Sequence, residues 1–182
     1  MARIPYSDPA TRSDSVRSYI ERSGNMNILR MLSHASPAIF EGFNQLSVGI
    51  MRQSPLNAVL REIAILRVGY LSNAAYEIYH HESVGRQVGL SDAQLAAIKS
   101  GDASSQTLDA AQRAVLAFST DVIQNVRAGD ATLAAVREHI SDSELVDLLM
   151  TIGCYMMLAR MLETTGVDID QIALTQKTLT QS

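Results

Sequence analysis

Apolar residues recur at spacings of three and four along most of this chain, the signature of helices that bury one face. Ile28 to Leu32 and then Ile39, Phe40, Phe43, Leu46 and Ile50 predict two helices in succession, with Ser36-Pro37 as cap and first helical residue. Ser54-Pro55 repeats that start signal before Leu56, Val59, Leu60, Ile63 and Leu66, a helix expected to reach about Leu71. Asn73 is placed to cap a helix from Tyr76 to Val88 that stops at Gly89, a residue suited to the left-handed position past a helix end. Ser91-Asp92-Ala93-Gln94 and Ser141-Asp142-Ser143-Glu144 are capping boxes, the second heading a helix to about Thr165. Between them, Thr107 opens a helix through Leu108, Ala111, Val115, Phe118 and Val122, and Asp130 precedes a shorter one ending at Ile140. No stretch combines two-residue alternation with β-branched enrichment, so the predicted class is all-α, a multi-helix bundle.

Punctuation sets the organisation. Residues 1–24 carry Pro5, Pro9 and five serines and read as an N-terminal arm, with a short helix at most near Val16 to Arg22. Residues 25–167 form one helical domain, and the polar stretch 168–182 reads as an extended or frayed tail. With 47% hydrophobic and 19% charged residues in 182, the chain can bury one substantial core. Fifteen basic against 19 acidic residues give a net charge of -4, which leaves no broad basic surface for nucleic acid. The N-terminus has no apolar run after its charge, so a signal peptide is not expected and the chain reads as cytoplasmic. The most apolar segment, Leu145 to Leu162, is interrupted by Asp147, Thr151, Gly153 and Arg160 and reads as a buried helix rather than a membrane span. The absence of a Gly-rich phosphate loop or dinucleotide fingerprint argues against a nucleotide cofactor.

Candidate chemistry concentrates on one helix. Glu77 lies four residues before His81 and shares its face, while His80 points about 100° away. A solvated ion pair or a hydrogen-bonded core histidine explains such a pair as well as a functional site does. Glu77-Ile78-Tyr79-His80 has the Glu-x-x-His step of di-iron bundles, but no second step exists in the sequence, so no metal centre is expected. The lone Cys154, among Ile152, Tyr155, Met156 and Met157, reads as a packed thiol.

The text from Leu60-Arg61-Glu62-Ile63-Ala64-Ile65-Leu66-Arg67 through Tyr76-Glu77-Ile78-Tyr79-His80-His81 to Val88-Gly89-Leu90-Ser91 resembles the carboxymuconolactone decarboxylase family. That family commonly reads Arg-Glu-x-x-Ile-Leu, Tyr-Glu-Trp-x-x-His and Gly-Leu-Ser; here Ile78 stands where Trp is usual. The resemblance extends over about residues 26 to 168. The same superfamily includes alkylhydroperoxidase D-like proteins, whose Cys-x-x-Cys-x-x-x-His motif falls on Ala74, Glu77 and His81, with the relay glutamate falling on Glu62. Both thiols are therefore missing while the proton-handling pair is retained.

What the resemblance implies is a bundle of the alkylhydroperoxidase D-like type and cofactor-free acid–base chemistry on a small carboxylated or lactone-like molecule. His81 would be the acid, Glu62 its relay, and Glu77 a group that orients His81 or lines the pocket. A glutamate among Ile63, Ile65 and Leu66 should be desolvated, and a carboxylate beside an imidazole raises the imidazole pKa, which suits proton transfer near neutrality. The alternatives are a peroxidase-like redox protein, opposed by the missing dithiol, and a non-catalytic binder of small acids. Relatives assemble as trimers or trimers of dimers, so a homo-oligomer is expected, with no nucleic acid or membrane partner.

Overall fold

The computed structural model describes residues 1–170 and contains nine α-helices and no strand among them. They are α1 (Asp14–Arg22), α2 (Asn27–Leu32), α3 (Pro37–Val48), α4 (Ala58–Ser72), α5 (Ala75–Gln87), α6 (Asp92–Ser100), α7 (Ala110–Asn125), α8 (Asp130–Arg137) and α9 (Asp142–Thr165). The fold is an all-α bundle. Its axis is α4, on which ten consecutive residues from Leu60 to Gly69 are buried. A helix buried all round needs neighbours on every side, and α5, α7 and α9 supply them. Helix α9 is long and apolar enough to cross a bilayer by length and composition. It packs lengthwise on α4 and buries Leu148, Ile152, Tyr155, Leu158 and Leu162, while Val146, Leu149, Met150 and Met157 stay exposed along its outer face.

The sequence signals acted locally where a side chain could satisfy a helix end. Ser91 with Gln94 and Ser141 with Glu144 form complete capping boxes. Elsewhere a stronger acceptor nearby took the role. The fourth helix is capped by the Asn57 side chain, which accepts from Val59 and Leu60 N–H, while Ser54 instead bonds the Asp147 carboxylate at 2.5 Å. Asp109, in a capping box with Gln112, starts α7 in place of Thr107. Asn73 ends α4 in the left-handed conformation, φ 51°, rather than capping α5, consistent with the ability of asparagine to occupy that region. Between α3 and α4 the chain winds into a π-turn, Gly49–Gln53, which sequence periodicity did not indicate.

The segment read as an arm is tied into its own chain. Val16 and Ile20 are buried with Leu29 and Phe40 in a small second cluster, where Tyr19 meets Phe40 edge-on at 5.9 Å. Farther out, the Tyr6 hydroxyl donates to Asp168 at 3.0 Å and Arg3 N–H donates to Thr165 carbonyl at 2.7 Å. Asp168 and Asp170, at the start of the stretch read as a tail, are likewise anchored, with Asp170 accepting from Asn27 N–H and from the Tyr76 hydroxyl. The remainder of that stretch, residues 171–182, lies outside the described residues.

Candidate active site

Three helices bring the site together. Glu62 stands at the buried centre of α4, Glu77 and His81 lie one turn apart on α5, and Tyr155 faces them from α9. Close approach of α5 to α4 depends on Gly69, where an added Cβ would lie 3.2 Å from Ile78 Cγ1 and 3.7 Å from Glu77 Cβ.

His81 is held from both ring nitrogens. Its Nδ1 bonds Glu62 Oε2 at 2.7 Å, and its Nε2 lies 3.5 Å from Glu77 Oε2. Exposure of Glu62, Glu77 and His81 is 0%, 4% and 3%, so bulk water does not screen the cluster. With Glu62 accepting from Nδ1–H, the atom left to exchange a proton is Nε2, on the Glu77 side. The Tyr155 ring abuts the imidazole edge-on, 5.0 Å between centroids, and its hydroxyl points to Met51 Sδ at 3.6 Å. These contacts fix the ring plane without using a third polar group.

The electrostatics follow from burial. Desolvation pushes the Glu77 carboxyl up to about 7, with His81 pulling it down and Glu62 adding to the rise. For His81 burial acts downward, but the Glu62 charge and hydrogen bond, joined by Glu77, outweigh it and the imidazole pKa is raised. Arg61 approaches Glu62 at 3.8 Å, beyond hydrogen-bond reach. Arg67 turns away to Thr120 and to the Ile98 and Lys99 carbonyls. Glu62 is thus committed to His81.

His81 and Glu77 line a cavity of about 100 Å³. Its walls are α1 and α2 (Tyr19, Ser23, Met26, Leu29), α3 and the π-turn (Phe43, Ser47, Met51, Arg52), and α5 and α9 (Tyr76, Tyr155, Leu158). Glu77 Oε1 is buried and has no hydrogen-bond partner among the described residues.

The His80 ring does not join the pair, as its position on the helix predicts. It is, however, fully buried, tilted at 53° against Tyr76 with 4.4 Å between ring centroids and edge-on to Tyr79 at 5.1 Å, and burial lowers its pKa to about 4. Cys154 is buried on α9, and burial raises its thiol to about 11. No group of three or more His, Cys, Asp or Glu side chains among the described residues is arranged to hold a metal ion. Sequence reasoning did not find Ser23, Met51 or Arg52. Nothing local marks them, because they meet the site only through the packing of α1 and the π-turn.

The protein has an all-helical fold of the alkylhydroperoxidase D-like type, with a buried glutamate–histidine pair at its centre. Residues 37–121, which include Glu62, Glu77 and His81, match the model of the carboxymuconolactone decarboxylase family. Among solved structures it is similar to an alkylhydroperoxidase AhpD core, an uncharacterized peroxidase-related protein from Ralstonia eutropha JMP134. The TM-score is 0.81 at 20% identity over 93% of both chains. It is also similar to a putative antioxidant defence protein AhpD from Agrobacterium tumefaciens, with TM-score 0.66, 21% identity and coverage of 77% of this chain and 96% of that one. A third is the debrominase Bmp8, as a cysteine-to-alanine variant in complex with 2,3,4-tribromopyrrole, at TM-score 0.72 and 17% identity over 93% of this chain and 91% of that one. At these identities the likeness shows the fold. No curated protein matches the sequence.

Proposed function

We propose that the protein is a cofactor-free acid–base catalyst of carboxymuconolactone decarboxylase type, acting on a small carboxylated or lactone-like molecule. The observation that carries this reading is the 2.7 Å bond from buried His81 to buried Glu62, which leaves Nε2 beside Glu77 at the cavity. In such a reaction the bond to the substrate carboxylate breaks and carbon dioxide leaves. The electron pair moves through a carbon–carbon double bond to the lactone carbonyl oxygen. Protonated His81 stabilises that oxyanion, with Glu62 holding the imidazolium, and a proton from His81 or Glu77 then reaches carbon. Water returns the proton to the site when product leaves.

A thiol peroxidase reading fits the site less well. Ala74 and Glu77 occupy the positions that cysteines hold in that superfamily motif, and the Cys154 thiol, raised to about 11, is poorly ionised at neutral pH. The test is turnover by purified protein after His81→Ala and Glu62→Gln. Each should lose at least about 100-fold in kcat, and the double variant should lose little more than the worse single, because the two act as one unit. Retained turnover in both single variants would leave a ligand-binding role for the pocket and remove the catalytic one.

A further inference from the structure

Two opposite charges meet in the core without a hydrogen bond. Arg61 Nε and Glu62 Oε1 lie 3.8 Å apart, both buried and both without a hydrogen-bond partner among the described residues. At that distance the contact acts through charge alone. Taking a guanidinium out of water is costly, and an apolar side chain of similar volume often stabilises a core as well or better. Packing on α4 therefore does not explain an arginine at position 61. Arg67, on the same helix, is the contrast, because it bonds the Thr120 hydroxyl and the Ile98 and Lys99 carbonyls.

The charge of Arg61 bears on His81. Around the imidazole stand Glu62 and Arg61 from α4, Glu77 and His80 from α5, and Tyr155 and Cys154 from α9. Arg52, Tyr19 and Tyr76 complete the titratable lining of the cavity among the described residues. Burial is the largest influence on the imidazole and acts downward; Glu62 and Glu77 outweigh it, and Arg61 opposes them. Once His81 has donated its proton from Nε2, the imidazole is neutral and Glu62 is left as a buried carboxylate. With Arg61 beside it, the two charges cancel. Without Arg61 the same step would leave a net negative charge out of reach of water. A guanidinium suits this duty because it is not deprotonated in proteins.

We propose that Arg61 is a positioning residue for the acid step, a fixed counter-charge that lets His81 release its proton by neutralising the Glu62 carboxylate left behind. It is not among the described residues that line the cavity, so it acts through Glu62 rather than on the substrate. The assignment rests on the acid–base reading of the site and adds a residue to it.

The experiment is a pH titration of His81 by nitrogen-15 NMR of the ring nitrogens in histidine-labelled protein. The chain has four histidines, and the spectrum of His81→Ala assigns the resonance. Arg61→Met and Arg61→Gln remove the charge, whereas Arg61→Lys keeps it. Each neutral variant should hold the His81 proton about tenfold more tightly, moving the midpoint up by about one pH unit. Arg61→Lys should stay within about 0.3 of the wild-type midpoint. An arginine needed only for shape would give lysine no such advantage, because lysine does not reproduce the planar fork. No hydrogen bond at Nε is lost in any variant, so all three should fold. An unshifted or lowered midpoint in the neutral variants, an equal rise in Arg61→Lys, or loss of the fold in both neutral variants would overturn the assignment. The acid–base reading fails on a different measurement, turnover by the His81 and Glu62 variants, because the titration requires no substrate.

Discussion

Glu77 offers a test that needs no substrate. Its carboxyl is pushed from an ordinary 4.5 to about 7, chiefly by burial. A carboxyl whose folded pKa is raised stabilises the fold in its protonated form, so its contribution is complete below the unfolded pKa and is lost as pH rises through the folded one. At about 1.4 kcal/mol per tenfold change in proton affinity, ionised Glu77 costs the folded protein about 3 kcal/mol. Glu77→Gln has the same shape and no charge to acquire. Integrating the linkage between about pH 5 and about pH 8.5, the variant should gain about 2.5 kcal/mol on the wild type. His81 and Glu62 remain in both proteins, so their own linkage largely cancels. Urea unfolding at the two pH values measures the difference directly, through the shift of midpoint at constant slope. A gap between the two proteins that changes by less than about 0.5 kcal/mol over that range would show that Glu77 is solvated when charged, and the low-dielectric account of the site would be wrong.

Three further outcomes are expected. His80→Ala should destabilise the fold by about 2–4 kcal/mol, because it empties a packed ring position between Tyr76 and Tyr79; a denaturation midpoint within error of wild type would refute that. Cys154→Ala should leave any native turnover within a few-fold, since a buried, protonated thiol contributes volume, and selective loss of peroxide reduction in this variant would transfer the chemistry to the thiol. Self-association should use the apolar outer face of α9, so Met150→Glu with Met157→Glu should shift sedimentation toward monomer, and a wild type already monomeric at micromolar concentration would contradict it.

How far the sequence could be read depended on the range of the interaction concerned. Ser91 with Gln94 and Ser141 with Glu144 were legible because both partners of a capping box lie within one turn. Ser54, Asn73 and Thr107 misled because several acceptors competed locally, and tertiary contacts such as Ser54 with Asp147 decided between them. The spacing of Val16 and Ile20 was visible, yet their partner Phe40 lies in α3, so the segment read as an arm. For the site, helical geometry alone placed Glu77 beside His81 and separated His80 from both. The approach of Glu62 came from the family resemblance, and its 2.7 Å bond is supplied by packing of α4 on α5. Tyr155, Ser23 and Arg52 have no local signal at all.

The cavity is assembled from unequal parts. The residues of the glutamate–histidine cluster fall within positions 37–121, whereas Tyr19, Ser23 and Met26 precede that segment and Tyr155 and Leu158 follow it. Exchanges at Tyr19, Ser23 or Met26 reshape the chamber without altering any side chain bonded to His81. The shape of the chamber can therefore diverge by drift in the flanking helices while the glutamate–histidine cluster stays constant, so two such proteins can share that cluster and still enclose differently shaped cavities.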